Sequence, residues 1–242
     1  MTIQTPVVNA GFKYINGLNI AFNSGTKIDI AAGQCRDSTN ANDMTLAATA
    51  TINTAINGAN GLDTGAMANT TLYHVYLIAD STKYQATAGL LSLSATAPLL
   101  PFGYDMIRRL GSVFSSGAAA VLAFNQYGSS SDRWMWYDAG FVELNAGASA
   151  AYATVDCATS VPLTATMINF RATITPTAAD DKAVLRPLGA TDANGFAQLS
   201  GVVAAKIQVA QIVVPCNAAA SIEYKVTGTL SLATQAYLDI LG

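Results

Sequence analysis

Short groups of Gly, Thr, Ser and Asn divide the chain into runs of roughly four to eight residues rich in β-branched and aromatic side chains, which is strand spacing. In the first half the pattern predicts strands over Leu18–Phe22, Lys27–Ile30, Leu72–Ala79, Leu90–Ser94, Arg108–Phe114 and Ala120–Gln126. Within Tyr73–Ala79 both alternating sets of positions are apolar, so this strand is expected to be covered on two faces. One short helix is expected in the first half, over Leu46–Ile56, where Leu46, Thr49, Ile52 and Ile56 recur near helical spacing; its threonines work against it. The polar cluster Gly128–Asp132 marks a domain boundary, giving a β-rich domain over 1–130 and a second over 131–242. In the second, strands are predicted over Phe141–Leu144, Ala151–Asp156, Met167–Thr175, Ala183–Pro187, Lys206–Val213, Ser221–Thr227 and Thr229–Ile240. About seven short strands in roughly 100 residues predict a β-sandwich of jelly-roll or immunoglobulin-like type. No repeat of solenoid or propeller length is visible.

Composition changes this picture in one respect. Of 242 residues, 51% are hydrophobic and only 11% charged, against about a quarter in an ordinary soluble domain. Disorder is excluded by the apolar content. A net charge of −3 gives no basic surplus for nucleic acid. The longest apolar runs, Gly117–Phe124 and the interrupted Val202–Cys216, fall short of the roughly 20 residues of a membrane span. The first residues have no basic stretch leading into an apolar one, so no signal peptide is expected. Sparse charge therefore implies a surface partly covered by other chains. Cys35, Cys157 and Cys216 are expected as reduced thiols, with a Cys157–Cys216 bridge as the alternative.

The residues that could carry chemistry are few. His74 is the sole histidine; it sits in the most apolar predicted strand and reads as a packed residue, with neither a GxSxG elbow nor a neighbouring nucleophile. Three scattered cysteines and one histidine do not form a zinc set. Asp37–Asp43 resembles a calcium loop but lacks the glycine at the sixth position and the closing glutamate, so a turn built by Asx side chains is preferred. Asp180-Asp181-Lys182 reads as a solvated loop, and no phosphate-cradling glycine motif occurs. No catalytic residue, cofactor or metal is therefore predicted. Trp134, Trp136 and Tyr137 form the one concentrated aromatic patch, suited either to sugar rings and partner side chains or to burying an interdomain connector. Arg108 and Arg109 either pair with acids across a subunit contact or lie on a solvated strand edge.

Three stretches carry a resemblance: Lys27-Ile-Asp-Ile-Ala-Ala-Gly-Gln-Cys-Arg-Asp-Ser-Thr-Asn40, then Gly61-Leu-Asp-Thr-Gly65 leading into Thr71-Leu-Tyr-His-Val-Tyr-Leu-Ile78, and Pro98-Leu-Leu-Pro-Phe-Gly-Tyr-Asp-Met-Ile-Arg-Arg-Leu-Gly-Ser112. Together they resemble virion structural proteins of tailed bacteriophages, of head-decoration and tail-fibre type, over about residues 12–127. Residues 134–242 resemble, more loosely, the β-sandwich ends of such proteins. The chain departs from the pattern at Leu100-Pro-Phe-Gly103, where a simpler Pro-x-Gly is expected, and at Leu110 in place of Ile. The resemblance implies a non-enzymatic virion component made in the host cytoplasm. Its implied partners are the major capsid protein, other virion proteins and further copies in a homotrimer, with no nucleic acid and no membrane. A capsid decoration or cement role is the first expectation; a tail-fibre or tail-tip module binding host glycan is the second.

Overall fold

The structure, a computed structural model, describes residues 13–128 and 130–241; the first twelve residues of the stretch read for a targeting signal lie outside them. The chain is mainly β, and no helix occurs among the described residues, hence none long and apolar enough to cross a membrane. Two small antiparallel sheets open the fold. One orders β1 (Ile15–Gly17), β4 (Gly33–Arg36) and β5 (Asp43–Leu46); the other orders β2 (Ile20–Ser24), β3 (Lys27–Ile30) and β6 (Ala50–Asn53). A four-stranded sheet follows, with β10 (Met106–Phe114), β8 (Leu72–Ala79), β9 (Ala88–Ser92) and β7 (Gly61–Leu62) in that order.

The expected helix over Leu46–Ile56 is not formed. The segment holds the end of β5, a turn and β6. Alternation decides it: Met44, Leu46, Ile52 and Thr54 are buried, while Asp43, Thr45 and Thr51 face solvent. β-Branched Thr45, Thr49, Thr51, Ile52 and Thr54 favour a pleated surface over a helix, and pairing of β5 with β4 and β6 with β3 settles the choice.

β8 is buried on both faces, as its two apolar sets predict. Tyr73, Val75, Leu77 and Ala79 join the main core, whereas Tyr76 and Ile78 join Ala88 and Leu90 in a second cluster. Leu100, Tyr104 and Ile107 cover that second cluster.

The second half contains a five-stranded sheet ordered β11 (Phe124–Tyr127), β12 (Asp132–Gly147), β19 (Thr229–Ile240), β14 (Ala165–Thr175) and β17 (Gln208–Pro215). A four-stranded sheet orders β13 (Ala153–Asp156), β18 (Ser221–Val226), β15 (Lys182–Pro187) and β16 (Ala197–Ser200). Phe170, Ile174, Val214 and Leu232 of the first share a core with Val155, Leu185, Ile222 and Val226 of the second.

The polar cluster at Gly128–Asp132 connects β11 to β12, which pair with each other from Phe124↔Tyr137 to Tyr127↔Trp134. The strands on either side of it are thus adjacent antiparallel partners. Gly128 has φ +112°, and a Cβ there would lie 2.5 Å from the carbonyl oxygen of Asp132. One hydrophobic core runs from Ile15 through to Leu241. Arg133 joins the two halves: fully buried, it donates to the carbonyls of Gly17 (2.6 Å), Leu18 (2.9 Å) and Ser130 (2.9 Å), and to Oε1 of Gln126 (3.0 Å). Burial holds the Arg133 guanidinium down at about 10, and carbonyl dipoles stand in for a counter-ion.

Candidate functional site

Strand alternation divides the aromatic run of β12 between two faces. Met135 and Tyr137 turn inward and are buried, and the Tyr137 hydroxyl donates to the Ser160 carbonyl at 2.6 Å. Trp134 and Trp136 share the outer face, partly exposed, with ring centroids 6.4 Å apart and planes tilted by 41°. Tyr137 therefore does not belong to a surface patch. Register builds the patch from other strands instead. One row across the outer face of the sheet is Tyr127, Trp134, Leu238, Met167 and Pro215. The next is Asn125, Trp136, Ala236, Asn169 and Val213. Ala236 separates Trp136 from Asn169 by a single methyl group. Asn169 is buried, and its Oδ1 accepts no hydrogen bond.

Neither arginine of the predicted pair is free for a partner. Arg108 is buried and donates to the carbonyl oxygens of Lys13 (2.9 Å) and Leu241. Arg109 forms a two-pronged ion pair with Asp239 at 2.5 and 3.0 Å, with a further bond to the Ile240 carbonyl at 3.2 Å. Both readings of the pair, intersubunit contact and solvated edge, give way to an internal one. β10 and the C-terminal strand β19 are clasped together by these side chains, because Asp239 is wholly buried and needs a cation beside it.

The surface feature that the pattern of residues did not single out is a pair of loops. Asp80 ties down residues 80–87: its carboxylate accepts from the amides of Thr82 (2.8 Å), Tyr84 (3.0 Å) and Gln85 (2.9 Å). Residues 93–105 are fastened to the same loop, since Tyr104 donates to the Ala86 carbonyl at 2.9 Å and Ser81 N to Asp105 at 2.8 Å. These two anchored loops display Tyr84 at 90% exposure, Leu99 at 62% and Phe102 at 100%. Leu100-Pro-Phe-Gly103, met in the sequence only as a departure from a motif, is thus where the most exposed phenylalanine among the described residues stands.

The one histidine of the chain is turned inward. The His74 Nδ1 lies 2.8 Å from Ser112 Oγ, both buried; desolvation, aided by the Arg109 charge, pushes the imidazole down to about 4. Glu143 accepts from Ser160 Oγ and from Thr234 Oγ1 (2.9 Å), and burial pushes its carboxyl up. The Asp37 carboxylate accepts from Thr39, Ala41 and Asn42, the Asx turn expected there. The cysteines are free thiols, and burial raises Cys35 to about 12 and Cys216 to about 11. Among the described residues, no group of three or more His, Cys, Asp or Glu is placed to hold a metal ion. A cavity of about 550 Å³ is lined by Asp180, Asp181, Lys182, Asn194, Gln198 and Lys225 among others, the solvated loop predicted around Asp180. Compared with known protein families and with curated proteins, the chain matches no family and no protein.

Proposed function

We propose that this chain is a non-enzymatic structural protein of a tailed-phage particle, made in the host cytoplasm, which decorates and cements the capsid as a homotrimer. The observation that carries the reading is the display of Tyr84, Leu99 and Phe102 on loops whose backbones are already fastened. Apolar side chains held out at this exposure are stabilised only when another surface covers them, by about 25 cal/mol per Å² before association costs. Pre-fastened loops lose little entropy on docking, which leaves more of that gain as affinity. Sparse charge over the chain fits the same role, and the resemblance of residues 12–127 to virion proteins names the class of partner: the major capsid protein and its neighbours on the shell. In this reading residues 1–130 dock, while residues 131–242, read as a β-sandwich, project; the β11–β12 hairpin and the shared core make the two move as one.

The test is the copy number of this chain per virion, measured by quantitative mass spectrometry against the major capsid protein. A value on the order of hundreds follows head symmetry and supports decoration; about a dozen or fewer places the chain at the tail or one vertex and overturns it. Capsids lacking the protein should also lose heat resistance while adsorption to cells is unchanged.

One observation favours a second reading, a tail-associated module that binds host glycan. Trp134 and Trp136 are partly exposed side by side on the outer face of the sheet, their rings tilted by 41°, an apolar aromatic platform. Purified protein would then compete with phage adsorption, and Trp136→Ala would weaken that competition.

A further inference from the structure

β17 ends the five-stranded sheet. One of its sides pairs with β14 along its whole length, from Gln208↔Ile174 to Pro215↔Met167 with no register shift, and among the described residues no strand pairs with the other. A free edge of this kind normally carries lysine, an interior proline or a bulge, since its unpaired N–H and C=O groups will otherwise recruit another strand. β17 has none of these. Its single proline is the last residue, Pro215, and no charged residue occurs from Ile207 to Ile222. On its outer face Val209 is 59% exposed and Val213 37%, and exposed Val202, Val203 and Ile207 lead into it.

What would pair with this edge is indicated by the strand itself. Val209-Ala210-Gln211-Ile212-Val213 reads as the same chemical pattern in both directions: valine, small or branched aliphatic, glutamine, aliphatic, valine. Antiparallel pairing of two copies about a two-fold axis through Gln211 sets Val209 opposite Val213, Ala210 opposite Ile212, and the two Gln211 amides opposite each other. Every facing pair is apolar with apolar or amide with amide. Arg171, on β14 opposite Gln211, carries a positive charge on that face. Its two copies would stand three strand spacings apart, about 14 Å, beyond the screening length of physiological salt. A partner of other sequence would have no reason to meet this symmetry.

We propose that β17 is a self-pairing edge through which two copies of this chain join their five-stranded sheets, antiparallel and centred on Gln211. This goes beyond the virion reading and is separate from it: a three-fold assembly uses other surfaces.

Sedimentation equilibrium of the full chain over a concentration series tests the proposal. The wild type should show a two-fold association step. Val209→Lys with Val213→Lys puts like charges opposite each other at both crossing points and should weaken that step about tenfold or more. Val209→Lys with Val213→Glu carries the same number of substitutions at the same exposed positions, yet sets opposite charges face to face, and should restore it. Circular dichroism checks that both variants fold. Amide exchange in wild-type β17 should slow as concentration rises. Absence of a two-fold step, a step indifferent to the paired lysines, or failure of the charge-swapped variant to recover it while folded would each overturn the proposal. A trimer insensitive to both variants would overturn edge pairing and leave the virion reading standing.

Discussion

Two buried ionisable side chains, Asp239 and His74, and the partly buried Arg109 form one electrostatic unit. Asp239→Asn leaves the Arg109 guanidinium without its carboxylate in a largely desolvated site; a loss of about 3 kcal/mol is expected, read from chemical unfolding. Removing that carboxylate also takes away the charge that favours a protonated His74, so the imidazole pKa should fall further in a proton NMR titration. His74 itself makes the fold sensitive to acid. Its pKa lies at about 4 in the folded chain and near 6.5 when unfolded, so the unfolded chain binds a proton that the folded chain refuses. Stability present above about pH 6.5 should therefore be lost as pH falls toward 4, by on the order of 3 kcal/mol. In His74→Gln the thermal midpoint should change much less over that interval; an unaltered pH profile would contradict the assignment. Arg133 gives the largest single effect expected. Arg133→Met leaves the carbonyls of Gly17, Leu18 and Ser130 unmet in the interior, at a cost of about 3 kcal/mol or more.

Among the elements, length alone did not decide what was legible: four-residue β3 was read in full, whereas β12, Asp132–Gly147, was read only over Phe141–Leu144. Lys27–Ile30, Leu72–Ala79 and Thr229–Ile240 coincide with β3, β8 and β19. β1, β4, β7 and β16 went unread because, unlike β3 with Ile28 and Ile30 at alternate positions, these short strands do not carry two large aliphatic residues in alternation. The segment around β5 and β6 was misread for a related reason. Leu46, Thr49, Ile52 and Ile56 mimic helical spacing only because two short strands and the turn between them happen to place apolar residues so. At the β11–β12 turn, Gly128→Ala is expected to cost about 1–3 kcal/mol, since the backbone there is left-handed and a Cβ would strike the Asp132 carbonyl. Differential scanning calorimetry reads that loss, and a single transition would report the two halves unfolding together, as their common core requires.

For the whole molecule, the arrangement of exposed apolar groups matters more than their number. Phe102→Ala together with Tyr84→Ala should leave the thermal midpoint within about a degree, because both side chains stand in solvent, while weakening attachment to undecorated capsids by tenfold or more. Co-sedimentation with purified shells measures it, and unchanged attachment would move the docking surface elsewhere. By itself the sequence determined the β class and the dual burial of β8, because alternation in a strand is a local property of the backbone. It also determined that the surface is poor in charge. Only tertiary structure decided that Arg108 and Arg109 clasp β19, that Tyr137 is buried, that Gly128 lies in a hairpin, and that Phe102 and Tyr84 stand fully out. Each of these depends on which distant strand or loop arrives alongside, and side-chain burial is set by that neighbour, a quantity no local pattern of residues contains.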